Sequence, residues 1–163
     1  MRHFFAHVAG ESSPNRDNTN RQTIIASCRV GEPLLLEPEP DNPQDENAVR
    51  VLREDGKQIG YLERAMAARL FDDLRDFHAF VAGVGRSRGP DLGVALLIVV
   101  SGGDDDQTMI AEYAQRALAE RVVSKLARSA SRRRAGDSFV VAAAIMMLAL
   151  AVVVGIALRF IPW

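Results

Sequence analysis

One cysteine, Cys28, is the whole thiol inventory of the chain. No intrachain disulfide can staple the fold, so it does not depend on an oxidising compartment. Histidines are almost as scarce: His3, His7 and His78 are the three. On a strand the step from His3 to His7 covers about 13 Å, too far to share an ion, and no metal site is expected. There is no glycine-rich loop running into a lysine, and no Ser/His/Asp or Cys/His set stands out. Gly83-Val84-Gly85 lacks the third glycine of a dinucleotide loop and opens no evident helix. These absences point to a chain without a cofactor and without catalytic activity. A basic surplus is missing too, since residues 1–100 carry 12 Lys/Arg against 15 Asp/Glu. A mildly acidic module of this kind is not built for indiscriminate binding of nucleic acid, which relies on neutralising many phosphates. The opening residues have no long apolar core, and no signal peptide is expected.

What the chain does have is one long apolar run. FVVAAAIMMLALAVVVGIAL opens at Phe139 and closes at Leu158, 20 residues without a charge. As a helix it would span about 30 Å, the thickness of a hydrocarbon core. A domain this small could not enclose a helix apolar on every side, so a transmembrane helix over about residues 137–159 is expected. The bilayer is then a partner through residues 139–158. Arg132, Arg133 and Arg134 precede the run and only Arg159 follows it, which places the N-terminal side in the cytoplasm. Residues 160–163 form a short tail, with Phe160 and Trp163 suited to the far interface. The Ala/Arg-rich composition suggests a bacterial inner membrane.

Residues 102–136 read as a helical linker. Asp104, Asp105 and Asp106 open a stretch free of Gly and Pro, where carboxylates cap free N–H groups and suit the helix dipole. Ile110, Tyr113, Ala114, Ala117, Leu118 and Leu126 fall roughly on one side. That stripe would pack on the module or mediate self-association or partner binding through residues 104–130; a solvated stalk is the alternative. Lys125, Arg128 and Arg132 to Arg134 form a juxtamembrane basic cluster, a topology signal that would also attract anionic lipid.

Residues 1–101 read as one module. Apolar runs predict strands over residues 4–9 and 33–37. Asn20 caps a short helix over residues 21–28, although Ile24-Ile25 would also suit a strand. Residues 48–53 and 57–62 flank Asp55-Gly56, a hairpin signal. Residues 63–74 predict a helix with Ala65, Met66, Leu70 and Leu74 inward, and strands over 77–84 and 92–100 close the module. About six short strands with one or two helices suggest a mainly β (α+β) small barrel or sandwich.

One stretch is more specific. Residues 39–70 read EPDNPQDENAVRVLREDGKQIGYLERAMAARL, after an opening HVAGES at residues 7–12. Asp41-Asn42-Pro43, Asp45, Asn47-Ala48-Val49, Val51, Gly56 and Ile59-Gly60-Tyr61-Leu62 carry a pattern that resembles the HIRAN family over about residues 4–100. The resemblance implies a modified oligonucleotide-binding-type β-barrel that grips the 3′ end of single-stranded DNA. In such a site a carboxylate accepts a hydrogen bond from the 3′-hydroxyl, aromatic rings sandwich the last base, and basic side chains hold the phosphates.

The resemblance places the end-sensing carboxylate on Asp45, a polar ring on Tyr61 and a basic contact on Arg64. Asp41, Asn42, Pro43, Asn47 and Gly60 are its structural frame. The opening motif departs, because the family's basic-then-aromatic pair falls on Ser12 and Ser13 and its second stacking ring on Gln44. Stacking contributes roughly 1–3 kcal/mol per base, so losing both faces weakens binding by roughly one to four decades. Arg16 and Arg21, in the adjacent loop, are candidates to supply part of the missing charge. A structural role competes at several positions. Asp45 and Asn47 suit a turn that bonds its own backbone, Tyr61 suits a core, and Arg86 and Arg88 suit a solvated hairpin tip. Two functions follow: a membrane-tethered module for single-stranded nucleic-acid ends, or a protein-docking module at the cytoplasmic membrane face. No helicase motor motif accompanies either.

Overall fold

Alternating burial builds the strands. On the first, Ala6 and Val8 turn into the core while Phe5 and His7 are exposed. The computed structural model describes residues 1–86, 89–102 and 105–132. Its elements are β1 (Arg2–Ala9), α1 (Arg21–Ala26), β2 (Pro33–Pro38), β3 (Val49–Arg53), β4 (Gln58–Leu62), α2 (Arg64–Leu70), a 3-10 segment (Phe71–Asp76), β5 (Phe77–Arg86), β6 (Leu92–Val100) and α3 (Gln107–Arg132). All strand pairings are antiparallel and close a barrel in the order β1-β4-β3-β2-β5-β6.

The seams of the barrel differ in length. β6 pairs with β1 from Arg2↔Val100 to His7↔Ala95, and with β5 from Phe77↔Val100 to Arg86↔Leu92. By contrast β1 meets β4 only at Val8↔Leu62 and Ala9↔Tyr61, and β2 meets β5 only at Pro33↔Phe80 and Leu34↔Ala79. β6 is apolar without alternation because both its faces are covered. Leu96 and Ile98 lie in the barrel core, while Leu97 and Val99 point the other way and are also fully buried. His3 is paired with Val99, and its Nδ1 lies 3.1 Å from the Tyr113 hydroxyl. That contact sets the first turns of α3, with buried Ile110 and Ala114, over this outer face.

Helix α1 is six residues long, too short to be stable alone. Asn20 caps it by accepting from the Gln22 and Thr23 N–H groups, and it buries Ile24 and Ile25 in the core. The β3–β4 hairpin turns through Glu54-Asp55-Gly56, with Arg53 N–H on the Lys57 carbonyl at 2.9 Å. In this three-residue loop Gly56 takes the positive φ of 79°.

The segment expected as one helix over residues 63–74 is instead α2 followed by 3-10 turns. The break comes at Asp73, whose φ of −119° and ψ of 22° leave the helical region. Of the expected inward stripe, Leu70 is buried and Met66 and Leu74 pack against the core, while Ala65 is exposed and Ala67 lies inside instead. The chain divides after Ala114, so the barrel unit keeps the start of α3. Asp106 Oδ1 caps that helix by accepting from Met109 N–H at 2.8 Å. No helix among the described residues is long and apolar enough to cross a membrane. The run at 139–158 and the arginines at 133 and 134 lie outside the described residues, as do Arg88 and Asp104.

Candidate nucleic-acid interface

The loop between β2 and β3 is folded by its own polar side chains. Asn42 Oδ1 accepts from Gln44 N–H at 3.0 Å, and Asp45 Oδ1 accepts from Asn47 N–H at 3.1 Å. Backbone bonds run from Asn42 N–H to Glu39, from Asp45 N–H to Asn42 and from Ala48 N–H to Asp45. These successive turns explain the need for Asn and Asp at these positions and fit the prolines at 40 and 43.

Arg64, the first residue of α2, closes the loop from the other side. Its Nε sits 3.1 Å from Asp45 Oδ2, and its Nη2 donates to the Gln44 carbonyl at 2.9 Å. The Arg64 side chain is 73% exposed and that of Asp45 is 19% exposed. So exposed a pair contributes at most about 1 kcal/mol to stability. Its effect is geometric: it holds one carboxylate and one guanidinium at the barrel rim. A carboxylate offers about four acceptor positions; the Asn47 amide and Arg64 use two of Asp45's.

Beneath this pair lies a polar layer. Asn15, Arg21, Glu39 and Gln58 are the buried polar residues among those described, and side chains of this kind are rarely buried without partners. Glu39, with its side chain 8% exposed, accepts from Asn42 Nδ2 at 2.6 Å and from the Tyr61 hydroxyl at 3.0 Å, and pairs with Arg16 at 3.2 Å. Asn15 donates to the Gln58 carbonyl and to Thr19 Oγ1, both at 2.9 Å, and accepts from Arg21 Nε at 2.5 Å. Arg21 also donates to the Gly10 carbonyl at 2.6 Å and lies over the Tyr61 ring, 5.2 Å from its centroid. Such a cation–π contact contributes roughly 0.5–2 kcal/mol.

The loop after β1 is fixed as tightly. The Asp17 carboxylate accepts from the Thr19 hydroxyl at 2.6 Å and from its N–H at 2.9 Å, and these bonds hold its pKa below the usual carboxylate value. Ser12 Oγ donates to Asp91 Oδ2 at 2.6 Å, at the foot of β6. Gln22 pairs with the same strand like a short backbone segment. Its Oε1 accepts from Leu92 N–H at 2.6 Å, and its Nε2 donates to the Leu92 carbonyl at 3.0 Å.

Asp45, Gln44, Arg64, Asn42 and Asn47 therefore come together, and Tyr61 joins them through Glu39. Asp41 and Pro43 lie in the same loop. Ser12 and Ser13 are exposed on the other loop, and Ser12 is turned toward an acidic partner. Of the two arginines expected to supply charge, Arg21 is 5% exposed and committed to internal contacts, whereas the Arg16 side chain is 65% exposed. Glu39 and Asn15 escaped sequence reasoning. The only signal for Glu39 was its place two residues before Asp-Asn-Pro; Asn15 sat in a stretch that reads as an ordinary polar loop.

Gly60, in β4, explains the fixed glycine of the Ile-Gly-Tyr-Leu segment. Its φ is 153°, and a Cβ there would fall on Val8 Cγ1 and 2.5 Å from the Ala9 carbonyl oxygen. The absent side chain lets β1 close on β4 beside Tyr61.

A six-stranded closed barrel with two loops laced by carboxylate–arginine pairs defines a small binding module. The HIRAN domain family profile matches residues 4–101, and the chain belongs to that family. Among solved structures it is similar to the HIRAN domain of human HLTF, at 18% identity and a TM-score of 0.47, over 72% of this chain and 87% of that one. It is also similar to a protein from Lactobacillus plantarum, at 22% identity and a TM-score of 0.46, over 58% and 89% of the two chains. No curated protein matches the chain.

Proposed function

We propose that this chain binds the 3′-hydroxyl end of a single nucleic-acid strand at the Asp45–Arg64 corner, and does so from a membrane tether. Membership of the HIRAN family supports the ligand class. The Asp45–Arg64 pair carries the reading for this chain. Asp45 is anchored by two donors and keeps acceptor positions for a hydroxyl. A terminal phosphate brought to the same carboxylate meets like charge. Arg64 stands beside it, largely exposed, to meet the phosphate behind the last nucleotide. Tyr61 already gives its hydroxyl to Glu39 and one ring face to Arg21, so it contributes at most its other face to a base. The reading is of a binding module, not an enzyme.

The tether rests on the 20 uncharged residues at 139–158, preceded by three arginines. It places the module at the cytoplasmic face. Full-length chain should stay with the membrane after carbonate washing and be released when residues 139–163 are deleted.

Binding is tested with the full chain in mild detergent by fluorescence anisotropy, using short strands that end in 3′-hydroxyl or 3′-phosphate. The expected result is a preference for the hydroxyl end that disappears in Asp45→Ala. No binding to any strand at low salt would overturn the proposal. A second reading, a protein-docking module at the membrane face, is favoured by the Ser12–Asp91 bond, which sets an acidic group where a phosphate contact would be needed.

A further inference from the structure

Two arginines, Arg16 and Arg21, stand five positions apart before and at the start of α1, and the fold gives them opposite tasks. Arg21 is an internal cation. It is buried, bonded to Asn15 and the Gly10 carbonyl, and set over Tyr61. Arg16 is anchored by its Nη2 on Glu39 Oε1 at 3.2 Å, with its side chain 65% exposed. Glu39 is a nearly buried carboxylate whose other donors, the Asn42 amide and the Tyr61 hydroxyl, are neutral. A carboxylate so placed requires a cation at its mouth. Arg16 supplies it and still presents much of a five-donor guanidinium to solvent.

The β2–β3 loop thus presents two carboxylate–arginine pairs, Glu39–Arg16 and Asp45–Arg64. Asn42 bridges them, donating to Glu39 and accepting from Gln44 N–H, while the Gln44 carbonyl receives Arg64. In each pair the carboxylate is the more buried partner and the arginine the more exposed. We propose that Arg16 is a second phosphate-contacting residue of this site, engaging an internucleotide phosphate, with Glu39 as the residue that positions it. The inference rests on the end-binding reading above. It assigns the charge absent at Ser12 to a different loop position, preorganised by a carboxylate that cannot itself reach the ligand.

The test is the salt dependence of binding by the full chain in detergent, measured on a fluorescein-labelled strand with a 3′-hydroxyl. Each phosphate neutralised on a single strand contributes about 0.7 to the slope of log K against log salt. Arg16→Ala should flatten the slope by about that much and weaken binding about eight-fold near 50 mM salt. Hydroxyl-ended and phosphate-ended strands should be affected alike. Arg16→Lys should restore the slope. Glu39→Gln should weaken binding while keeping the slope, since the cation stays but loses its anchor. A structural role for Arg16 would lower the urea midpoint and leave the slope alone. An Arg16→Ala slope equal to that of the parent chain overturns the proposal, and if hydroxyl preference is still lost in Asp45→Ala, the end-binding reading survives it. A parent chain that binds no strand overturns both.

Discussion

Replacing Gly60 by alanine tests the account of how the barrel closes. The added methyl group meets two obstacles at once. The backbone at φ 153° lies where residues with a side chain are strained, and the new Cβ would collide with Val8 Cγ1 and lie 2.5 Å from the Ala9 carbonyl oxygen. Strain of that kind costs about 1–3 kcal/mol, and overpacking a filled site a further 1–3 kcal/mol or so. The backbone oxygen cannot move aside without parting β1 from β4, which are joined by only two residue pairs. A loss of about 2–6 kcal/mol is therefore expected, against a typical domain stability of about 5–15 kcal/mol. With a urea m-value of about 2 kcal/mol/M, the midpoint should fall by about 1–3 M. The assay is urea unfolding of the full chain in nonionic detergent, followed by far-ultraviolet circular dichroism. Gly85→Ala is the control, because a Cβ there meets nothing within 4 Å; it should change stability by no more than about 0.5 kcal/mol. Equal midpoints for the two variants would refute the reasoning.

Gln22→Ala removes the side chain that pairs with both backbone groups of Leu92. It should cost about 1–3 kcal/mol and expose the Leu92 amide to hydrogen exchange while Val99, bonded within the barrel, stays protected. Unchanged protection at Leu92 would contradict the assignment. His78, with Nε2 3.1 Å from Ser101 Oγ, has its pKa lowered by burial, a shift that Asp76 and Asp105 partly oppose. Between that lowered value and the ordinary one near 6.5 the unfolded chain binds more protons. Stability therefore falls as pH drops through this window, and His78→Gln should flatten the fall in a series of urea midpoints. A variant as acid-sensitive as the parent would remove His78 from the account.

The parts of the fold that were legible in the sequence are those set by neighbours in the chain. Asp55-Gly56 between two alternating runs marked a hairpin, and the turn over residues 54–56 falls between those runs as read, with Gly56 at a positive φ. Asn20 marked a helix start that the β-branched Ile24-Ile25 made ambiguous, and the cap settles it together with burial of both isoleucines. The segment after β4 misled because its composition favours helix up to Leu74, while the kink at Asp73 breaks it. In the site, the turn residues Asn42, Asp45 and Asn47 bond within a few positions of themselves, so their pattern is visible in order. Glu39, Asn15 and the internal role of Arg21 are different. Their roles come from contacts between separate loops, and hydropathy scores such residues as surface whether or not they are buried.

The strand order has a mechanical consequence. β6 is bonded along both edges, by six residue pairs to β1 and nine to β5, and the chain leaves it directly toward α3. Tension applied from the C-terminal side, once it has freed the docked first turns of α3, arrives at this strand. It cannot be unzipped one bond at a time from a free margin, but must slide against two neighbours together. A pull on the chain beyond Val100 is thus met by the strand the fold clamps hardest.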